Sequence, residues 1–504
     1  MDTFRPSGTA DWVGSCGLAV VLLGCFLLVG TPPWTINHDC GWYLYAADRF
    51  LTGDALYVDL VEVNPPLIVY LSVLPTLLAR MFSIGLVPAF DVFVVLWICV
   101  SLFAIARVIR EVPVVARSKY ELIAGIAVVL TVCAGNDFGQ REHLMVIAVV
   151  PWLMVVMARQ YGAPVGGVLA FCLGCFAAVG IALKPWFLLV PFITRIGVVQ
   201  NARELFTLGR PEDRGMLLML VIYMLHFLFA PLTSDFMKVL ERLGETNHGM
   251  EIELVEVLKM PWCVHWFWVC GAALLLLLFV KSMRRELLVW TLACVAAGIS
   301  AVWQQKGWSY HFLPALSLGY IALGLMLCGV VVNNERMRRN FRPLWFVGLV
   351  LFTAVPAGEH WLRRHPTGLV VEPEFTGIPD DMREIEGLTA GESVMVLDTA
   401  MPPFFAWLGD HRIQSASRYA HLWTLPVALR DGRQWQQLLV EITEDIRRRR
   451  PRYIYLRKGQ LEFCPTVLEP FSVRLVQAPE MRVVLEEYRQ VQTSGRFGLW
   501  QRTH

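Results

Sequence analysis

Charge is what this sequence has least of: only 17% of its 504 residues are Asp, Glu, Lys or Arg, against 56% hydrophobic residues. So little charge over such a length excludes an ordinary soluble protein, and the apolar residues recur in too many runs for a single anchor. An excess of one sign is missing too. The 44 basic and 42 acidic residues leave +2, which gives no reason to expect a nucleic-acid surface. The twelve cysteines suggest no disulfide framework or zinc pattern, and Cys25, Cys99, Cys172 and Cys294 fall in apolar runs where they read as small hydrophobic side chains. His143 and His311 lack metal-ligand spacing, so metal ligation is the minority reading for both. The first apolar run, 17–30, lacks a clear small-x-small cleavage site and reads as a retained helix.

What is present is a series of apolar stretches of about 17 to 25 residues, the length at which a helix spans the hydrocarbon core with its backbone satisfied. About eleven are expected, near 14–31, 87–107, 120–135, 143–159, 164–183, 185–198, 215–232, 262–281, 287–303, 311–332 and 343–357. Alternate connections carry the basic clusters Arg107/Arg110/Arg117/Lys119, Arg195/Arg203/Arg210/Arg214, Lys281/Arg284/Arg285 and Arg336/Arg338/Arg339/Arg342. Basic residues near helix ends are retained on the cytoplasmic side, which sets the N-terminus inside and the tail after about 358 outside. The segment 65–82 is apolar enough to cross, but a crossing would invert every later loop. It is read as a re-entrant or interfacial helix after a long external loop at 32–64.

Charge density jumps at 358: residues 1–357 hold 48 of the 86 charged side chains, and the last 147 residues hold 38, 19 of each sign. An all-α membrane bundle at 1–357 and an extracytoplasmic domain at 358–504 are therefore expected. In the tail, 393–398 and 452–456 have strand character and 435–450 helix character, which predicts an α/β unit. Its run Arg447-Arg448-Arg449-Arg450 reads as a solvated helix end stopped by Pro451, with lipid-phosphate binding as the second reading.

On this threading the external side collects Asp39, Asp59, Glu62 and Asn64, then Asp137, Arg141, Glu142 and His143, then Lys184, and finally Lys306 and His311. Ionisable groups at the rim of a helical bundle are costly unless paired, hydrated or functional, so their gathering on one side marks a candidate site. Asp39 could take a proton from an incoming hydroxyl, and Arg141, Lys184 and Lys306 could hold a phosphate, a combination suited to group transfer from a lipid phosphate. Each has a plainer reading. Asp39 could equally cap a helix, Glu62-Val-Asn-Pro-Pro66 could be a helix-entry turn, and Asp137, Arg141 and Glu142 could form a salt-bridge cluster. Trp34, Trp42, Trp152 and Trp308 read most simply as interfacial anchors.

The run Asn37-His-Asp39-Cys-Gly-Trp42-Tyr43, followed by Gly53 and by Tyr57-Val-Asp59-Leu-Val-Glu62-Val-Asn64-Pro65-Pro66-Leu67, resembles the first external loop of the GT-C glycosyltransferases. It looks most like the branch of the protein O-mannosyltransferases and the lipid A aminoarabinose transferases. The resemblance is specific over about 35 residues and extends loosely to the helix layout and the external C-terminal domain. It implies a catalytic external loop at 32–86, with Asp39 at the family's catalytic acidic position, Glu62 at a second and Asp137 at a further one. Many relatives have a second acid directly after the first and a Lys before Pro-Pro, where this chain has Cys40 and Asn64. Arg141, Lys184 or Lys306 could replace that Lys. Gln140-Arg-Glu-His143 and Gly307-Trp-Ser-Tyr-His311 are similar to strings in uncharacterised bacterial members.

The resemblance further implies a sugar donor on a polyprenyl phosphate, an envelope glycan, lipid or protein as acceptor, and a bacterial inner membrane with the C-terminal domain periplasmic. Asp39 would take the acceptor proton, Arg141, Lys184, Lys306 and His311 would hold the leaving phosphate, and the anomeric configuration would invert. Trp42, Tyr43, Tyr57, Asp59, Asn64, Glu142 and His143 are candidate sugar or acceptor ligands. A monophosphate leaving group makes no cofactor obligatory, though a divalent metal is compatible with the chemistry. The rival readings are a lipid-linked sugar transporter or flippase, which inverted repeats and broken helices would favour but against which stand the lack of an obvious internal repeat and of charged residues near span centres, and a non-catalytic assembly subunit. Loss of activity confined to Asp39, Glu62 or Asp137 substitutions would separate the enzyme from the latter.

Overall fold

The computed structural model describes residues 8–30, 36–199, 209–279, 283–332, 341–351, 378–459, 470–491 and 495–503. The expected domain boundary at 357/358, Trp34, and the loop residues Arg203, Lys281, Arg336, Arg338 and Arg339 lie outside them. A helix occupies the described part of every one of the expected apolar stretches. Among the described residues, six helices are long and apolar enough to cross a membrane, and a seventh span results if Pro211–Phe229 is counted with the helix that follows it. Gly167–Ile181, Pro185–Val198 and Phe341–Leu351 are apolar but shorter. Leu67–Phe82 has 16 residues, about 24 Å of helix at 1.5 Å per residue, less than a hydrocarbon core of roughly 30 Å.

The described residues fall into two compact units, one drawing on Met1–Trp34, Asp91–Leu228 and Ile252–Val371, the other on Thr35–Phe90, Phe229–Glu251 and Glu372–His504. The first is the helical bundle. Arg141–Gln160 is apolar on nearly every side after its first turn and is accordingly enclosed along its whole length. Gly167–Ile181 packs along it. Pro211–Phe229 then approaches Gly167–Ile181 so closely that a Cβ on Gly174 would lie 1.9 Å from the Glu212 carbonyl oxygen, and one on Gly215 would lie 2.1 Å from that of Phe171. Only glycine lets two backbones meet at that range. Charged residues at the helix ends are paired, Arg159 with Glu212, Arg195 with Asp213 and Arg342 with Glu121. Cys25 and Cys294 are buried, whereas Cys99 and Cys172 are exposed. Trp152, expected as an interfacial anchor, is instead enclosed, because its whole helix is.

The second unit holds a five-stranded sheet: β1 (Ser393–Leu397), β2 (Gln414–Ser415), β3 (Tyr453–Arg457), β4 (Tyr488–Val491) and β5 (Phe497–Arg502). The order is β2-β1-β3-β5-β4, with β1 parallel to β2 and β3, and β5 antiparallel to both β3 and β4. The helix Gly432–Arg449 buries Trp435, Leu438, Leu439, Ile442 and Ile446, a stripe at helical spacing. It ends at Arg450 in the left-handed region, one residue before Pro451. In the same unit His38–Leu51 packs on Leu67–Phe82 and on the short helix Phe405–Asp410. The rings of Trp42 and Tyr45 lie 4.8 and 5.4 Å from that of Phe405. Trp42 is therefore buried as well, in place of the expected interfacial position.

Candidate active site

The loop that carries the expected carboxylates is shaped by its own hydrogen bonds. Asn37 caps His38–Leu51, its Oδ1 accepting the Asp39 N–H at 2.9 Å. The capping role therefore falls to Asn37, and the Asp39 carboxylate stands in the first helical turn, where the helix dipole favours negative charge. His38 Nε2 lies 3.4 Å from Asp39 Oδ1, and the Asp39 side chain keeps 16% of its surface exposed. His421, which the sequence reading passed over, is within electrostatic reach of Asp39 and His38. Its Nδ1–H donates to the Thr399 carbonyl at 2.8 Å, and burial pushes its imidazole below the ordinary range.

Glu62 is the hub of this loop. It is 3% exposed, and its carboxylate accepts the Trp42 indole N–H at 2.6 Å, the Asn64 backbone N–H at 2.8 Å and the Asn64 side-chain amide at 2.5 Å. That amide also donates to the Tyr43 hydroxyl at 3.2 Å, while the Tyr57 hydroxyl donates to the Asn64 carbonyl at 2.8 Å. Of the candidate ligands, Trp42 and Asn64 thus bond the carboxylate directly, Tyr43 and Tyr57 join it through Asn64, and the three aromatic rings are buried. Tyr57 reaches its place through a positive φ of 72°.

Asp59 faces the other way. Its carboxylate accepts the Ala55 N–H at 3.0 Å and pairs with Arg448. Burial opposes its charge, but the Ala55 N–H and the Arg448 guanidinium together hold it below the usual carboxylate range. Arg449 reaches Asp54 at 3.3 Å, and Arg49 lies 2.8 Å from the same Asp54 oxygen. Two of the four consecutive arginines therefore grip the loop, while Arg447, Arg448 and Arg450 stay exposed, as expected of a solvated helix end. A backbone bond from Val61 N–H to the Arg418 carbonyl at 2.8 Å and one from Ser415 N–H to the Tyr45 hydroxyl at 2.6 Å add to the hold. Burial pushes the Tyr45 phenol up to about 12.

The bundle holds the other candidates. Asp137 closes a 3-10 turn, Gly135–Asp137, and is partly exposed. His143 fixes the loop that follows it: Nδ1 accepts the Gly139 N–H at 2.9 Å and Nε2 is 2.8 Å from the Leu130 carbonyl, so Nε2 carries the proton. Arg141 and Glu142 open Arg141–Gln160 and are buried. Lys184 precedes Pro185, and the extended backbone that a following proline favours is the one it adopts, φ −154° and ψ 128°. Its ammonium contacts Glu142 Oε1 at 2.9 Å and His311 Nε2 at 3.1 Å.

An ammonium can only donate, so His311 accepts at Nε2 and carries its proton on Nδ1. His311 is 4% exposed, and its Nδ1 has no hydrogen-bond partner among the described residues. Arg141, Lys184 and Lys306 all lie within electrostatic reach of it. Lys306 stands in the turn 304–308, where Gln305 and Gly307 have φ of 49° and 67°. Three cations around one imidazole that itself carries a buried donor form a group able to take an anion. Among the described residues no three His, Cys, Asp or Glu side chains gather as a metal ion would need.

No family model matches the sequence, and no curated protein matches it. Solved structures do. The chain is similar to ArnT from Cupriavidus metallidurans bound to undecaprenyl phosphate, with a TM-score of 0.57 and 14% identity over 98% of each chain. It is similar to the same protein in the apo state, with a TM-score of 0.55, again at 14% identity and 98% of each chain. The likeness covers nearly the whole of both chains, and what it shows is the fold, that of ArnT: a polytopic helical membrane bundle with a C-terminal α/β domain.

Proposed function

We propose that this protein is an inverting glycosyltransferase that moves a sugar from a polyprenyl-phosphate donor to a cell-envelope glycan, lipid or protein on the extracytoplasmic face of a bacterial inner membrane. The observation that carries the reading is the grouping of Arg141, Lys184 and Lys306 about His311, whose Nδ1–H is a buried donor awaiting an acceptor. The undecaprenyl phosphate held by the structurally similar ArnT supports the choice of a polyprenyl phosphate as that anion.

In the proposed step the acceptor hydroxyl attacks the anomeric carbon, its proton passes to the Asp39 carboxylate, and the bond from that carbon to the phosphate oxygen breaks. The electron pair leaves with the polyprenyl phosphate, and the cationic group stabilises the charge that it gains. Asp39 suits the role of base, being partly exposed and not used as a cap. Glu62 holds the loop, its oxygens taken by Trp42 and Asn64. Purified Asp39→Asn protein with wild-type thermal stability should lose transfer by about 10²–10⁴-fold, the range of a general base. Retained transfer would refute the assignment.

A further inference from the structure

Glu142 fits poorly as a sugar ligand and well as something else. It is fully enclosed, one oxygen meets the Lys184 ammonium at 2.9 Å, and the other has no hydrogen-bond partner among the described residues. Enclosing a carboxylate with one oxygen unmet is costly, and replacing it by an apolar side chain would avoid that cost. The group sits on the cation that the proposed reaction needs for phosphate, with His311 Nε2 at 4.0 Å from the paired oxygen. A carboxylate and a phosphate compete for the same ammonium.

The charge of the phosphate changes during that reaction. A sugar linked through a phosphodiester carries one negative charge, whereas the released monoester carries about 1.5 to 2 at neutral pH. A purely cationic group would therefore hold the product more tightly than the donor, and turnover would stall on release. An enclosed carboxylate beside Lys184 repels the more highly charged species more strongly, and so shortens the product's stay more than the donor's.

We infer that Glu142 is an internal counter-ion for Lys184, displaced by the incoming phosphate and returning to eject the polyprenyl phosphate after transfer. This rests on the glycosyl-transfer reading. The test is binding of undecaprenyl phosphate, in detergent micelles, to the purified full-length protein and to Glu142→Gln, Glu142→Asp and Glu142→Gln/Lys184→Met. Glu142→Gln should bind about tenfold more tightly, an effect of one neutralised charge on a desolvated pair, with a lower kcat and a lower KM for donor. Glu142→Asp keeps the charge but draws it back by roughly 1.5 Å, one carbon–carbon bond, and should bind about twofold more tightly. The double variant should lose the gain.

Damage to the fold would weaken binding, so tightening distinguishes the role from a structural one. Unchanged or weaker binding by a folded Glu142→Gln overturns the inference. If that variant does not fold, failure of Glu142→Asp to tighten overturns it instead. Wild-type protein that binds no undecaprenyl phosphate would overturn the glycosyl-transfer reading itself, an outcome separate from either.

Discussion

Replacing Trp42 by Phe removes one atom group that matters, the indole N–H that donates to Glu62 at 2.6 Å. The ring stays apolar and keeps its edge contact with Phe405, 4.8 Å between centroids. A hydrogen bond to a buried charged group contributes about 1.5–3 kcal/mol. In a folding unit of roughly 200 residues, each kcal/mol moves the midpoint by about 2–4 °C, so Trp42→Phe should lower it by roughly 3–12 °C. The assay is loss of the monodisperse peak on size-exclusion chromatography after heating the detergent-purified protein. Glu62→Leu should cost more, because it strands the Trp42 and Asn64 N–H groups, each at about 1–3 kcal/mol. The double variant should cost less than the sum of the two, since Phe at position 42 has no donor left to strand. A Trp42→Phe midpoint within about 1 °C of wild type, or strict additivity of the pair, would mean that water reaches Glu62 and that the network does not hold the loop.

Three further outcomes are expected. The contribution of the Asp59–Arg448 contact belongs to a carboxylate whose folded pKa is depressed. It should be complete above the unfolded value near 4 and be lost as pH falls through the lower folded value, seen as faster proteolysis of the 52–66 loop below about pH 4 but not at pH 5–8. His143→Phe strands the Gly139 N–H and the Leu130 carbonyl, so its thermal midpoint should fall by the equivalent of about 2–5 kcal/mol; an unshifted midpoint would deny the loop-fixing role. Gly174→Ala places a methyl 1.9 Å from the Glu212 carbonyl oxygen and should abolish recovery of folded protein, whereas Gly271→Ala, with open space around it, should be neutral or gain up to about 1 kcal/mol.

The helices were legible because each is a long apolar run, and the centres of β1 and β3 were legible because apolar residues stand together in each, Val394–Leu397 in one and Tyr453–Leu456 in the other. Neither signal depends on a distant partner. β4 and β5 were not read, since Arg489, Gln490 and Gln501 interrupt their apolar pattern and only pairing with each other and with β3 makes them strands. The loop at 37–67 announced its carboxylates but not their uses. That Asn37 caps in place of Asp39 turns on a two-residue hydrogen bond that either side chain could make. That Trp42 serves Glu62, or that Arg448 and Arg449 serve Asp59 and Asp54, turns on folding that brings together residues 20 and about 390 positions apart. His421 left no local trace, because its relation to Asp39 exists only once the sheet has formed.

The grip of Arg448 on Asp59 spans 389 positions of sequence, and that interval is also a span of time. At about 5–20 residues per second of synthesis, the loop bearing Asp39 and Glu62 would be made roughly 20–80 s before the helix that anchors it. Through that wait Asp59 has no Arg448, Asp54 has Arg49 but not Arg449, and Tyr45 has no Ser415. The loop's final shape thus becomes available only when the end of the chain has been made, so a ribosome that stops early leaves a product with its helices in place and its acidic loop unheld.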